Sequence, residues 1–164
     1  MRILGIDPGT TTIGFAILDK NGMKNNIVDY GVFSTTPKME LSVKLLEIGM
    51  DMKEIIKKYN PDIVSIEKLF FQTNVKTGID VSHARGVIMY ECIKSDIKIV
   101  EYTPLQVKKA ITGHGSCNKL QLQNAIKMIF RMEEIPKPDD AADAIGLAYM
   151  GALNSNFIIN RGLL

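Results

Sequence analysis

The chain has 164 residues, of which 46% are hydrophobic and 23% charged, and its formal net charge at pH 7 is +2. This composition is typical of one ordinary globular domain, and so small a charge does not by itself indicate a nucleic-acid-binding protein. The sequence has no apolar run near the ~20 residues of a membrane helix and no secretion leader. We therefore expect a cytoplasmic protein without a membrane partner.

The two cysteines, Cys92 and Cys117, do not have the spacing of a metal knuckle, and two residues cannot form a disulfide scaffold. We interpret both as reduced thiols, as is usual in the cytosol.

The first third of the chain has the pattern of three strands and a helix. Short apolar runs predict strands at residues 3–7, 13–18 and 27–34. Pro8-Gly9 separates the first two runs and Asn21-Gly22 precedes the third, and both dipeptides are turn signals. Apolar residues then recur at helical spacing over residues 41–59, and Asn60-Pro61 ends that helix.

The remaining two thirds alternate strands with helices. We predict strands at residues 62–67 and 97–101, a polar loop at residues 68–77, and helices at residues 79–93, 103–111, 118–130 and 139–153. This order predicts an α/β domain with a five-stranded mixed sheet, in which an antiparallel meander of the first three strands adjoins parallel strands. Helices would flank the sheet. We assign residues 1–153 to a single domain and residues 154–164 to a short C-terminal tail.

Four carboxylates come from separate predicted elements. Asp7 ends the first strand and Glu67 ends the fourth, so a parallel pair would present both at one edge of the sheet. Asp140 and Asp143 are three residues apart and share one face of the last helix. Four such groups repel one another unless divalent cations lie between them, and oxygen ligands favour Mg²⁺ or Mn²⁺. Two ions of this kind hold the attacking water and the leaving oxygen of a phosphodiester in line.

Three of the four carboxylates also have an ordinary interpretation. An aspartate before Pro-Gly is a common turn residue, and Glu67 could be a surface residue at the end of a strand. Asp139 and Asp140 could serve only the helix start, which favours negative charge. Asp143 argues for a site, because it lies one turn inside an apolar, alanine-rich helix where a bare carboxylate is costly.

The basic residues between positions 103 and 132 form a stretch of one sign. They are Lys108, Lys109, Lys119, Lys127 and Arg131, with no aspartate or glutamate among them. Within a nearly neutral domain, such a stretch indicates a local phosphate-binding face.

Five segments, which come in order and cover nearly the whole chain, carry a family resemblance. They are ILGIDPGTTTIGFAIL (3–18), PDIVSIEKLFFQTN (61–74), HARGVIMYE (83–91), EYTPLQVKKAITGHGSCNKLQLQ (101–123) and KPDDAADAIGLA (137–148). Together they resemble the RuvC family of Holliday-junction resolvases, which are crossover-junction endodeoxyribonucleases of the ribonuclease H-like superfamily. The resemblance implies a ribonuclease H-like fold and a nuclease that resolves junctions in DNA recombination and repair.

The resemblance also implies roles for individual residues. The four carboxylates, Asp7, Glu67, Asp140 and Asp143, match the family's metal-binding catalytic residues. They would hold two Mg²⁺ ions, with Asp7 as the bridge and Mn²⁺ as a possible substitute. The matched DNA-binding positions are Phe70, Arg85, Lys108 and Lys119.

Among the DNA-binding positions, Phe70 and Arg85 also have alternative roles. Lys108 and Lys119 match basic residues close to the family's active site, and Phe70 matches an aromatic that stacks on a junction base. Phe70 could instead belong to the core, and Arg85 could bind phosphate or hold a dimer helix. Gly86, next to Arg85, suits the close approach of two helices at a dimer interface.

The resemblance implies assembly and partners as well. We expect a homodimer that nicks two strands of like polarity symmetrically in a four-way junction. We also expect a partnership with the RuvA–RuvB branch-migration complex.

Other classes of protein share parts of the pattern. The string GIDPGTTTIGFAILD (5–19) also resembles the first phosphate loop of actin-like ATPases and sugar kinases, which need two duplicated domains and a second phosphate loop. A silent DNA-binding module would not need all four carboxylates. Other ribonuclease H-like nucleases fit the carboxylates equally well, and the LQVK and GHGSCNK segments favour junction resolution over them.

Overall fold

The computed structural model describes residues 1–69 and 75–160, with the side chains of residues 1–69 and 78–155. Its strands are β1 (Arg2–Asp7), β2 (Thr12–Asn21), β3 (Lys24–Ser34), β4 (Ile63–Glu67) and β5 (Lys98–Tyr102). Its helices are α1 (Leu41–Tyr59), α2 (Val75–Lys94), α3 (Pro104–Thr112), α4 (Lys119–Phe130) and α5 (Asp139–Asn160). No helix in these residues is both long enough and apolar enough to span a membrane.

The strands form one mixed sheet in the order β3-β2-β1-β4-β5, so β1 lies at its centre. β1 pairs antiparallel with β2, and β2 with β3, whereas β1 pairs parallel with β4 and β4 with β5. The predicted antiparallel meander and parallel strands are therefore confirmed.

The two faces of the sheet bury two separate cores, because successive side chains of a strand point to opposite faces. In β1, Ile3 packs in the core formed with α3, α4 and α5, whereas Leu4 and Ile6 pack in the core formed with α1 and α2. In β4, Val64 and Ile66 also belong to the second core. The hydroxyl of Ser65 donates a hydrogen bond of 2.6 Å to a carbonyl oxygen of α5. The alternation therefore decides which strand residues face α5.

Helix α5 lies against the sheet without side chains between the two backbones. A Cβ atom on Gly5 would lie 2.1 Å from the carbonyl oxygen of Ala144, and one on Gly14 would lie 2.0 Å from that of Asp140. Both distances are far below van der Waals contact. These two glycines therefore allow the first turns of α5 to rest directly on β1 and β2.

Helices α3 and α4 begin at matched capping boxes. Thr103 and Gln106 exchange side-chain and backbone hydrogen bonds at the start of α3, and Asn118 and Gln121 do the same for α4. Each box satisfies two of the amide groups that a helix start leaves without partners. The basic stretch is thereby held on two short helices that begin at fixed residues.

Two of the predicted boundaries are wrong. Helix α2 begins at Val75, inside the predicted loop of residues 68–77. Helix α5 continues to Asn160, so the predicted C-terminal tail begins inside a helix. Helix α5 continues past residue 153 where it has tertiary contacts. Ser155 is fully buried, and the ammonium group of Lys20 donates hydrogen bonds to Ser155 Oγ and to the carbonyl oxygen of Ala152.

We expect Gly14→Ala to destabilise the protein by about 1–3 kcal/mol, because the added methyl group must displace the start of α5 or β2. The matched control is Gly31→Ala in β3, since a Cβ atom there would meet only the ring of Phe15, at an ordinary contact distance of 3.4 Å. A glycine inside a strand costs backbone entropy on folding, so the control should be stabilised by up to about 1 kcal/mol. Denaturant titration measures both, and equal effects of the two substitutions would contradict the backbone contact.

Candidate active site

Asp7 and Glu67 lie at one edge and on one face of the sheet. Ile6 pairs with Ile66 in the parallel ladder of β1 and β4, and these two carboxylates are the next residues of the two strands. Asp7 follows the alternation of Ile3 and Gly5, and Glu67 that of Ser65, so both carboxylates belong to the face that α5 covers. Strand register alone therefore brings together two of the predicted ligands.

Helix α5 brings Asp140 and Asp143 to the same place. Asp7 pairs with Gly14 across β1 and β2, and Gly14 is the residue on which the backbone of Asp140 rests. Asp143 follows one turn later on the same helical face. The structure thus gathers all four predicted carboxylates around the end of the central strand.

The carboxylates are partly buried and repel one another. Burial, together with the charges of Glu67, Asp143 and Asp140, raises the pKa of Asp7 to about 8. Burial and the charge of Asp143 raise the pKa of Glu67 to about 7. Burial also raises the pKa of Asp143. The pKa values stay raised, so nearby positive charge compensates the cluster only in part, which is the electrostatic condition of a cation site.

Two predicted basic residues act on this cluster. The positive charge of Lys119 lowers the pKa values of Asp7 and Asp143, and that of Lys108 lowers the pKa values of Glu67 and Asp143. Lys119 is the first residue of α4, and Lys108 lies within α3. Both helices pack on the face of the sheet that α5 covers, so both lysines approach the cluster from that side. Their proximity to the carboxylates agrees with the roles that the resemblance implies.

Arg85 has partners within the protein. Its Nε donates a hydrogen bond of 3.0 Å to the carbonyl oxygen of Glu67, and its guanidinium forms an ion pair with Glu101. Only 17% of its side chain is exposed. Arg85 thus links α2 to the ends of β4 and β5. Its contact with DNA stays a prediction, and the structure adds a role in holding Glu67.

The donors of the cluster fit a hard divalent cation better than zinc, because all of them are carboxylate oxygens. Among the described residues, no three His, Cys, Asp or Glu side chains are already close enough to hold an ion. The fit therefore rests on the chemistry of the donors and on their uncompensated charge.

A cleft of about 640 Å³ lies beside the cluster. It is lined by Lys119, Gln123, Lys137, Pro138, Asp139 and Asp140. Since it contains both a candidate ligand and a basic residue predicted to contact DNA, it provides room for a phosphate group next to the carboxylates.

Sequence reasoning missed the contacts that position these residues. Asp139, interpreted only as a helix-start residue, pairs with Lys119 and Gln123. Gly14 was not singled out, although a glycine in a strand signals a close backbone approach. Phe70 lies outside the described residues, so its predicted stacking role stays a prediction.

We expect the free energy of unfolding of the metal-free protein to fall as the pH rises from about 4 to about 8. An aspartate in the unfolded chain loses its proton near pH 4, whereas Asp7 in the folded protein has a pKa of about 8. Between these values the folded state binds more protons than the unfolded state, so a rising pH favours unfolding.

The variant Asp7→Asn should lack the contribution of Asp7 to the pH dependence of the free energy of unfolding. At the alkaline end, its free energy of unfolding should exceed that of the native chain by at least about 1 kcal/mol. Denaturant titrations in a chelator at both ends of the range measure this, with Glu54→Gln on the exposed face of α1 as the control. A native chain that gains stability over the same range would contradict the electrostatic description.

Comparison with known proteins identifies the family. The family model for crossover junction endodeoxyribonuclease RuvC matches residues 3–150. A crossover junction endodeoxyribonuclease RuvC from Caldicellulosiruptor saccharolyticus is 45% identical over 160 residues, which cover 97% of this chain and 96% of the relative.

Solved structures show the same architecture. The structure of Thermus thermophilus RuvC has a TM-score of 0.85 and 26% identity, with 96% of each chain covered. T. thermophilus RuvC in complex with Holliday junction substrate also has a TM-score of 0.85 with 96% of each chain covered, at 24% identity. These likenesses confirm the predicted ribonuclease H-like fold. The chain belongs to the RuvC family of crossover junction endodeoxyribonucleases.

Proposed function

We propose that this chain is a Mg²⁺-dependent endonuclease that resolves Holliday junctions by nicking two strands of like polarity symmetrically. The observation that carries the proposal is the gathering of Asp7, Glu67, Asp140 and Asp143 around the end of β1. In a chain of the RuvC family, uncompensated carboxylates at this place support a cation-dependent phosphodiesterase. A solved structure with the same fold, T. thermophilus RuvC, is in complex with Holliday junction substrate.

The four carboxylates would hold two Mg²⁺ ions, and Mn²⁺ could replace Mg²⁺. Ions bound there would supply neutralisation of the phosphate charge and activation of the attacking water. The charges of all three of the other carboxylates contribute to the raised pKa of Asp7, which supports its place within the cluster. Arg85 contributes by holding the backbone of Glu67 at the end of β4.

The two lysines would bind the DNA backbone beside the carboxylates. A lysine ammonium near the scissile phosphate neutralises negative charge that develops during hydrolysis and fixes the strand. Lys119 and Lys108 approach from different helices, α4 and α3. Lys119 lowers the pKa of Asp7, Lys108 lowers that of Glu67, and both lower that of Asp143. A phosphate held between them would therefore lie at the carboxylates themselves.

The exposed face of α2 supports the homodimer. Ile79, Tyr90 and Ile93 are 47%, 62% and 58% exposed, and the exposed residues His83 and Gly86 complete a stripe at helical spacing. We call these five residues the α2 stripe. A Cβ atom on Gly86 would meet nothing within this chain, which leaves room for a partner helix. Two copies related by a two-fold axis would present two identical sites, as symmetric nicking requires.

Two further assignments rest on family membership. They are the partnership with the RuvA–RuvB branch-migration complex and the cytoplasmic location. Both follow from action on recombining DNA.

The central test is the variant Asp7→Asn on a synthetic four-way junction. It should bind the junction but lower the rate of cleavage by at least about 100-fold, equal to about 3 kcal/mol of transition-state stabilisation. The native chain should give paired nicks only with Mg²⁺ present and leave a linear duplex of the same sequence intact. Glu54→Gln is the matched control and should cut normally, whereas undiminished cleavage by Asp7→Asn would exclude the proposed site.

The α2 stripe predicts the effect of Tyr90→Glu on assembly. A charge in the middle of a helix–helix interface should convert the dimer to a monomer at micromolar concentration, because burying a carboxylate is costly and Lys94, which lies over the Tyr90 ring, would compensate it only in part. Met23→Glu is the control, since Met23 is 98% exposed at the turn between β2 and β3. Sedimentation measures both variants, and a Tyr90→Glu variant that remains dimeric would disprove the interface.

A further inference from the structure

Asp139 connects the two helices that meet at the candidate site. Its Oδ2 lies 3.0 Å from Nζ of Lys119, and its Oδ1 accepts a hydrogen bond of 2.7 Å from Nε2 of Gln123. Lys119 and Gln123 are four residues apart and share one face of α4. A single carboxylate at the start of α5 therefore binds two side chains of α4.

Gln123 fixes the orientation of this carboxylate. Gln123 is only 7% exposed, so its amide group needs a partner within the protein. The bond from Gln123 occupies Oδ1 of Asp139 and leaves Oδ2 for Lys119. An exposed ion pair alone contributes little, because two mobile side chains must be ordered together. In this pair the carboxylate of Asp139 is already held by its hydrogen bond from Gln123.

Lys119 needs such an anchor in the loaded site. In the metal-free protein its ammonium is attracted by Asp7, Asp140 and Asp143. Cations bound to those carboxylates would cancel this attraction and repel the ammonium. Asp139 is the neighbouring anion that the proposed cation site does not use, and its partners are Lys119 and Gln123.

We infer that Asp139 is a positioning residue that holds the ammonium of Lys119 at the cleft beside the candidate cation site, where a phosphate of the DNA backbone binds. Lys119, Gln123 and Asp139 all line this cleft. The inference rests on the proposed function, because it assigns Lys119 to the phosphate of the same reaction. It adds a residue outside the four carboxylates to the machinery.

A double-mutant cycle on single-turnover junction cleavage tests the inference. Asp139→Asn keeps an oxygen for Gln123 and removes the charge that attracts Lys119, so the cleavage rate should fall about tenfold with little change in junction affinity. In a Lys119→Met background, the same substitution should change the rate by less than about twofold. Asp139→Glu, which retains the anion, should recover part of the loss.

A second measurement does not depend on catalysis. NMR relaxation of the Lys119 side chain in the metal-free protein should show restricted motion in the native chain. In Asp139→Asn its motion should increase towards that of an exposed lysine such as Lys53. The attraction of Asp140 and Asp143 accounts for the restriction that remains in the metal-free protein. Denaturant titration of both proteins shows whether the variant remains folded.

The outcomes separate this inference from the proposed function. A tenfold loss of rate that persists in the Lys119→Met background, or an unchanged mobility of Lys119, would overturn the positioning role while native cleavage stays intact. If the native chain fails to cut junctions with Mg²⁺, the proposed function is wrong, and the relaxation measurement still decides whether Asp139 holds Lys119.

Discussion

The contact between the backbone of α5 and two glycines of the central strands determines where the functional groups lie. Gly5 and Gly14 remove the side chains that would separate the helix from the sheet. Because the Asp140 carbonyl rests on Gly14, and Gly14 pairs with Asp7, the start of α5 is fixed relative to the end of β1. A helix held at ordinary side-chain distance would carry its carboxylates away from the strand.

The electrostatics of the cluster follow from this packing. Close approach on a half-buried face raises the pKa values of Asp7 and Glu67 well above those of exposed carboxyl groups. Folding thus gathers like charges at a free-energy cost that bound cations would remove, so that cation binding and stability are linked. Two lysines offset the charge only in part, and one of them, Lys119, is paired with Asp139 rather than with a candidate ligand.

Much of the fold was predictable from local pattern. Alternation and turn residues placed the three strands of the meander, and helical periodicity placed α1, α3 and α4 close to their observed bounds. The four carboxylates were predictable from their order and contexts together, since three have an ordinary interpretation when taken singly, and the family resemblance supplied their roles. The common face of Asp7 and Glu67 also follows from the alternation of side chains in β1 and β4.

The remaining features depend on contacts distant in sequence. The last third of α5 is attached to Lys20, more than a hundred residues away, through its bonds to Ala152 and Ser155. The partners of Arg85 come from two strands, and local pattern does not reveal them. Asp139 has the composition of a helix start, and only the approach of α4 gives it a second function.

The most direct test of the central claim is the location of bound Mn²⁺ by anomalous diffraction from crystals of the native chain. We expect anomalous peaks among the carboxylates of Asp7, Glu67, Asp140 and Asp143, and their loss in Asp7→Asn. Ordered Mn²⁺ found only elsewhere on the protein, or unchanged peaks in Asp7→Asn, would contradict it.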